Sequence, residues 1–304
     1  MFILQADNIE LKLEVVPVVT LLHHEQVIPS VARKLLLQFK NWTNLQDPII
    51  VDENHIILDG NHRAHVFREL NFRYIPVCKV DYFHEKSCLR YWFRMIGNAR
   101  DPEEIHSIIE ECRGNIEPVS GRDQLAKNME EDCFLCGLQR RDSYALIRFA
   151  RDAACDAVTV YDTIEKMQEK FLEKGLELSF IPCQYVQSDG FCRELKEDEI
   201  VLWTPRITKE MVVDAARQCR VFAPKTTRHL IPARPINVNV PTQWFRENIS
   251  LKEINRRFES FLRKKGLKRF GPGQVINGRY YEEDIFVFFD KITETSEEER
   301  EYNE

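Results

Sequence analysis

The stretch Ile56-Ile57-Leu58-Asp59-Gly60-Asn61-His62-Arg63-Ala64-His65-Val66-Phe67-Arg68-Glu69-Leu70 constrains the fold more than any other part of the chain. A short apolar run stops at Asp59-Gly60, and a polar, basic segment begins at once. Val66, Phe67 and Leu70 recur at helical spacing, so that segment has one apolar face. A strand that turns this sharply into a helix is a component of layered α/β architecture. It also presents the first backbone N–H groups of the helix at the turn, where anions bind well. His62 and Arg63 add side-chain donors at the same place, and Asp59 adds a carboxylate. Phosphate donors beside a carboxylate suit a nucleotide with Mg²⁺. The plainer reading is an ordinary strand-turn-helix connection with a solvated arginine.

The pattern around this stretch extends the α/β reading. Leu13 to Val18 reads as a strand, Val31 to Phe39 as a helix, and Pro48–Val51 and His55–Leu58 as two strands joined by Asp52-Glu53-Asn54. Tyr74 to Val80 returns as a strand. The fold class expected is α+β: an N-terminal α/β unit with a mixed sheet, followed by a larger α/β part. Residues 1–96 form the first expected domain and residues 97–292 the second. Within the second, residues 97 to about 180 are rich in charge and read as mostly helical, with Gly175 as a helix stop. Further on, Ile200–Trp203 reads as extended, Met211–Gln218 and Leu251–Lys265 as helices, and Asp284–Phe289 as a closing strand. The acidic stretch 293–304 has almost no apolar residues and is expected to be disordered.

Composition narrows the function classes. A net charge of −6 over 304 residues argues against a general nucleic-acid binder. No apolar run reaches the length of a membrane span, and no signal-peptide pattern opens the chain. Nine cysteines at irregular spacing then read as reduced thiols, which points to a cytoplasmic protein. Cys133-Phe134-Leu135-Cys136 lacks a second C-x-x-C pair or a nearby histidine pair to complete a zinc site. Its surroundings suit a helix with partly buried thiols.

A second constellation lies far along the chain. Ala223-Pro224-Lys225-Thr226-Thr227-Arg228-His229 packs cations, hydroxyls and an imidazole behind a proline. Such a loop can offer several donors to a carboxylate or a phosphate. It can equally be a surface turn capped by Thr226 or Thr227.

Here the residues carry a resemblance. Asp59-Gly60-Asn61-His62-Arg63-Ala64, its flanking strands and the following Ile75-Pro76-Val77 resemble the ParB/sulfiredoxin superfamily. Within it, His24-Glu25-Gln26 and Pro224-Lys225-Thr226-Thr227-Arg228-His229 resemble the free serine kinases, which convert L-serine to O-phospho-L-serine. That family includes an archaeal ADP-dependent enzyme and a siderophore-pathway relative from staphylococci. The likeness covers residues 13–96 and 200–245 well, and residues 97–199 poorly.

The resemblance implies roles for particular residues. Glu25 matches the general base on the serine hydroxyl. Asp59, Gly60, Asn61, His62 and Arg63 match the turn that handles the nucleotide phosphates, with Asp59 also holding Mg²⁺. Trp92 matches an aromatic wall of the serine pocket, and Lys225, Thr226, Thr227, Arg228 and His229 match the loop that holds serine or the transferred group. The implied donor is ATP or ADP, and the implied partners are L-serine and the nucleotide; charge and hydropathy argue against nucleic acid and membrane. One departure is Asn61, where archaeal serine kinases have histidine; Asn keeps a donor but cannot be cationic. Sulfiredoxin chemistry needs a cysteine at that position, so it is not expected. A ParB-like nucleotide-dependent DNA-binding regulator is the alternative, and a heme- or metabolite-sensing regulator on the same scaffold is a third reading.

Overall fold

Strict alternation along Ile9-Glu10-Leu11-Lys12-Leu13-Glu14-Val15 builds the strand Ile9–Pro17, with Ile9, Leu11, Leu13 and Val15 buried on one face. It is the second strand of a five-stranded sheet ordered Phe2–Ala6, Ile9–Pro17, Tyr74–Lys79, Ile49–Val51, Ile57–Asp59. Ile49–Val51 pairs parallel to Tyr74–Lys79 and the other pairs are antiparallel, so the sheet is mixed as expected. The structure is a computed structural model that describes residues 1–6, 8–39, 41–132, 134–150, 156–183 and 195–291. Among the described residues there are seven α-helices.

The chain packs as two units. The first takes Met1–Leu21, Val27–Ser87 and the chain from Leu230 onward; the second takes Leu22–Gln26 and Cys88–His229. The expected domain boundary was at 96/97, whereas the chain leaves the first unit after Ser87 and returns to it at Leu230.

In the first unit, helices Pro29–Phe39 and Asn61–Glu69 pack on each other, and the latter also rests on Ile49–Val51. Phe67 on the second of these helices meets Phe39, Phe72 and Phe245, with ring centroids 5.4, 4.5 and 5.8 Å away. Helix Leu251–Lys264 covers Ile9–Pro17. Phe2–Ala6 pairs only as far as Leu13, and beyond it Asn255 from that helix takes over. Its amide accepts from the Val15 N–H at 2.9 Å and donates to the Val15 carbonyl at 2.8 Å. A smaller sheet of Ala233–Ile236, Asp284–Phe289 and Gly266–Phe270 completes the unit.

The second unit departs from the helical expectation for residues 97–180. Three helices are present, Pro102–Glu111, Arg122–Glu131 and Ala157–Glu173, but they flank a seven-stranded sheet. The path of that sheet runs Glu177–Pro182, Cys88–Gly97, Ile200–Trp203, Cys136–Arg140, Ser143–Phe149, Gly114–Val119, and Thr227–Leu230 also pairs with Cys88–Gly97. Charged residues on half-exposed strands gave these segments a helical look, and pairing with distant partners made them strands. Gly175 does stop a helix: at φ +79° it lets the Leu176 N–H reach the Phe171 carbonyl and its own N–H reach Leu172. Cys136 is buried and opens a strand after the helix has ended at Glu131, which corrects the helical reading at Cys136. Cys133 and the acidic tail 293–304 lie outside the described residues.

Candidate functional site

The Asp59-Gly60 turn is built on a backbone that only glycine suits. Gly60 sits at φ +102° as the cap of helix Asn61–Glu69, and a Cβ there would lie 2.5 Å from Ile49 Cγ2. No side-chain cap hydrogen bond closes the start of this helix at Gly60. His62 Nε2 accepts the Ile28 N–H at 3.0 Å, three residues on from Glu25. With Nε2 accepting, the ring carries its proton on Nδ1 and is neutral, whereas the sequence suggested a donor at large.

Asp59 is the centre of an ion-pair cluster. Its Oδ2 accepts from Arg63 Nη2 at 3.3 Å and from Arg234 Nη1, and Arg234 Nε donates to Glu283 at 2.9 Å. Arg63 also donates to the carbonyls of Asp47 and Pro48, which ties the turn to the entry of strand Ile49–Val51. Burial opposes the charge on Asp59, but Arg234, Arg63 and Arg279 outweigh it and hold the carboxyl well below its ordinary value. Burial likewise opposes the charge on Arg234, and Asp59 and Glu283 more than restore it. Three guanidiniums against two carboxylates leave the cluster net positive, which suits a phosphate. Asp59 keeps about a third of its side chain exposed, whereas Arg234 is buried.

Arg234, Glu283 and Arg279 were missed by sequence reading. The one available signal was a charge inside the apolar run Ile231-Pro232-Ala233-Arg234-Pro235-Ile236.

The second cluster belongs to the other unit. The segment carrying Glu25 is strapped to Phe222: the Phe222 N–H donates to the His24 carbonyl at 2.8 Å, and the Gln26 N–H donates to Phe222 at 2.9 Å. Glu25 Oε1 accepts the Lys225 N–H at 3.0 Å. Its Oε2 accepts the Thr227 N–H at 2.9 Å and the Thr227 hydroxyl at 2.7 Å. Because that hydroxyl donates its hydrogen bond to Glu25, at 2.9 Å it accepts one from His24 Nε2. The His24 ring meets His229 edge-on at 5.1 Å. Burial pushes the Glu25 carboxyl up, and the hydrogen bonds from Thr227 and Lys225 with the Lys225 charge only partly offset it.

The remaining expected residues fall around this carboxylate. Trp92 Nε1 donates to the Thr227 carbonyl at 3.3 Å. Lys225 Nζ and the Arg228 guanidinium lie 5.5 and 5.6 Å from the Trp92 ring centroid, a cation–π arrangement that holds two positive charges at the loop. Thr226 is fully buried and its hydroxyl donates to the Ala223 carbonyl at 2.7 Å, so this side chain closes the turn. Strand alternation puts Tyr91 and Phe93 on the opposite face, where with Trp203, Ala126 and Met129 they line a separate cavity of about 280 Å³.

No cluster of three or more His, Cys, Asp or Glu side chains that could hold a metal ion occurs among the described residues. The donor set still fits Mg²⁺, which binds through one or two carboxylates with waters and substrate phosphates. Asp59 is the carboxylate that would contribute, with its guanidinium contacts confined to Oδ2.

The chain has the mixed α/β fold of the free serine kinases: it matches a variant of a free serine kinase in complex with AMP at a TM-score of 0.63 and 18% identity, over 77% of this chain and 93% of that one. SbnI with a C-terminal truncation, from Staphylococcus aureus, matches at a TM-score of 0.63 and 16% identity, over 83% of this chain and 95% of that one. In sequence the chain is 28% identical over 235 residues to the ATP-dependent L-serine kinase of Staphylothermus marinus, covering 73% of this chain and 86% of the relative. No family model matches the chain. These likenesses bear out the resemblance drawn from the two motifs and support a kinase enzyme of the serine kinase family.

Proposed function

We propose that the protein transfers a phosphoryl group from ATP to the hydroxyl of free L-serine, giving O-phospho-L-serine and ADP. The observation that carries this reading is Glu25, a carboxylate raised in pKa by burial and aimed by three hydrogen bonds from Lys225 and Thr227. In this reading the serine oxygen attacks the γ-phosphorus, the bond from that phosphorus to the bridging oxygen breaks, and the hydroxyl proton passes to Glu25. A raised carboxylate is a better proton acceptor near neutral pH than an ordinary one. Trp92 walls the serine, and Lys225, Thr227, Arg228 and His229 bind its charged groups or the group being transferred. Thr226 supports the loop from within.

The turn of Asp59, Gly60, Asn61, His62 and Arg63, made net positive by Arg234 and Arg279 against Glu283, neutralises the nucleotide phosphates. Phosphoryl transfer asks a protein chiefly for alignment and charge neutralisation. Mg²⁺, when bound at Asp59, supplies neutralisation of the phosphate oxygens and fixes their geometry. ATP as donor is supported by the Staphylothermus relative, which is named ATP-dependent. The first unit is assigned to the ParB/sulfiredoxin-like superfamily on its Asp59–Ala64 turn and the flanking strand-helix-strand. As nucleotide-binding unit it gains the chain from Leu230, because Arg234 and Glu283 complete the Asp59 cluster. A reducing, cytoplasmic setting agrees with the free thiols found at every described cysteine.

The test is ³¹P NMR of the protein with L-serine, Mg²⁺ and either ATP or ADP, beside Glu25→Gln. O-phosphoserine formed with ATP and lost in the variant supports the reading. Formation only with ADP overturns the donor assignment. No product with either nucleotide overturns the function.

A further inference from the structure

Arg94 is fully buried in strand Cys88–Gly97, and among the described residues no carboxylate pairs with it. Its Nε donates to Gln168 Oε1 at 2.7 Å, and its Nη1 donates to the carbonyls of Trp92 at 2.6 Å and Lys225 at 2.9 Å. Its Nη2 is buried with no hydrogen-bond partner. A desolvated cation with no carboxylate in ion-pair contact is expensive, and an apolar side chain of similar length would pack the same space at lower cost. Folding therefore gives no reason for an arginine here.

What the guanidinium holds gives one. The Lys225 carbonyl it grips belongs to a residue at φ +61°, a left-handed conformation that a lysine adopts only when its surroundings impose it. The N–H groups of Lys225 and Thr227 on this strained turn both donate to Glu25. The Trp92 carbonyl, the other atom gripped, also accepts from Thr204 Oγ1 at 2.9 Å, so the strand beneath the loop is fixed from two sides. The fork geometry of arginine reaches both carbonyls from one nitrogen while Nε is locked by Gln168, which lysine cannot reproduce.

We infer that Arg94, locked by Gln168, is the positioning residue that sets the Lys225–Thr227 loop so that Glu25 is aimed for proton acceptance. The inference rests on the reading of Glu25 as general base. The charged and titratable groups surrounding Glu25 are His24 on its own segment, Lys225, Arg228 and His229 on the loop and the strand after it, and Arg94 beneath; Tyr161 and Glu165 on helix Ala157–Glu173 interact with Arg94. Glu25 is among the charges that favour the charged form of Arg94, so removal of the guanidinium is expected to raise the Glu25 carboxyl further.

The experiment compares the full-length wild type with Arg94→Met and Arg94→Lys. It measures kcat and KM for L-serine, melting temperature, and the titration of the Glu25 carboxyl carbon by ¹³C NMR. Arg94→Met is expected to stay folded, to lose about 10²-fold in kcat with KM for serine nearly unchanged, and to shift the Glu25 titration upward. Arg94→Lys is expected to restore part of the titration but not kcat. A folded Arg94→Met with wild-type kcat and an unshifted titration overturns the inference. If Arg94→Met does not fold, Gln168→Met carries the test: kcat lower in the same direction supports it, and unchanged kcat overturns it. Should the wild type make no O-phosphoserine, the kinase reading fails by itself, and the ¹³C titration still decides whether Arg94 governs Glu25.

Discussion

Glu25 is poised between burial, which raises its pKa, and three hydrogen bonds that lower it, and the balance lies on the raised side. Two predictions follow from that balance. Glu25→Gln keeps the acceptor geometry for Lys225 and removes the proposed base, so kcat is expected to fall about 10²- to 10⁴-fold with the fold intact by circular dichroism. In the wild type, kcat/KM for serine is expected to fall in acid with an apparent pKa above the ordinary 4.5, because the free enzyme's base titrates there. Linkage sets the sign for stability. The folded state binds the Glu25 proton more tightly than the unfolded state, so this group's contribution is full below 4.5 and is lost as pH rises through the folded value. An acid limb centred at or below 4.5 would refute the assignment. Glu25, Asp59 and the 225–229 loop were legible in sequence because each stands in a contiguous motif. Arg234, Glu283 and Arg94 were not, since their partners lie 175, 49 and 131 residues away.

At the level of elements, the strand-turn-helix of Ile57–Asp59 and Asn61–Glu69 depends on one glycine. Gly60→Ala places a methyl against Ile49 in a left-handed backbone and crowds Arg63 Nη2 at 3.0 Å. A loss of about 2–4 kcal/mol in urea unfolding is expected, from backbone strain and overpacking together. A change under 0.5 kcal/mol would mean that the turn relaxes without cost. Asn255 offers an independent check on helix Leu251–Lys264. Asn255→Leu leaves the Val15 N–H and carbonyl without their partner, and a loss of about 2–3 kcal/mol is expected by the same measurement. Helices with a clear apolar stripe and strands with clean alternation were readable beforehand. The strands within 114–149 were not, because charge on a half-exposed strand resembles charge on a helix until the neighbouring strand is known.

Over the whole molecule, the Asp59 cluster belongs to the first unit and the Glu25 cluster to the second. Thiol chemistry tests the packing of both. Cys88 and Cys219 are exposed, whereas Cys78 and Cys136 are buried. Burial pushes the Cys78 thiol up to about 12 and raises Cys136 as well, which leaves almost no thiolate to react. A thiol reagent at neutral pH is expected to modify Cys88 and Cys219 in the native protein, and Cys78 and Cys136 only after unfolding, as mapped by peptide mass spectrometry. Native labelling of Cys78 at the rate of Cys88 would contradict this packing. Local sequence determined what depends on neighbours in the chain: the period of its helices and strands, the Asp59-Gly60 turn, and the two motifs that carry the kinase resemblance. Tertiary structure decided what depends on partners brought from afar: which guanidiniums neutralise Asp59, which loop aims Glu25, and the direction in which each carboxyl titrates. The physical reason is range. Backbone propensity and turn chemistry act over a few residues, whereas the burial and fields that tune a carboxylate come from side chains that only folding brings within a few ångströms.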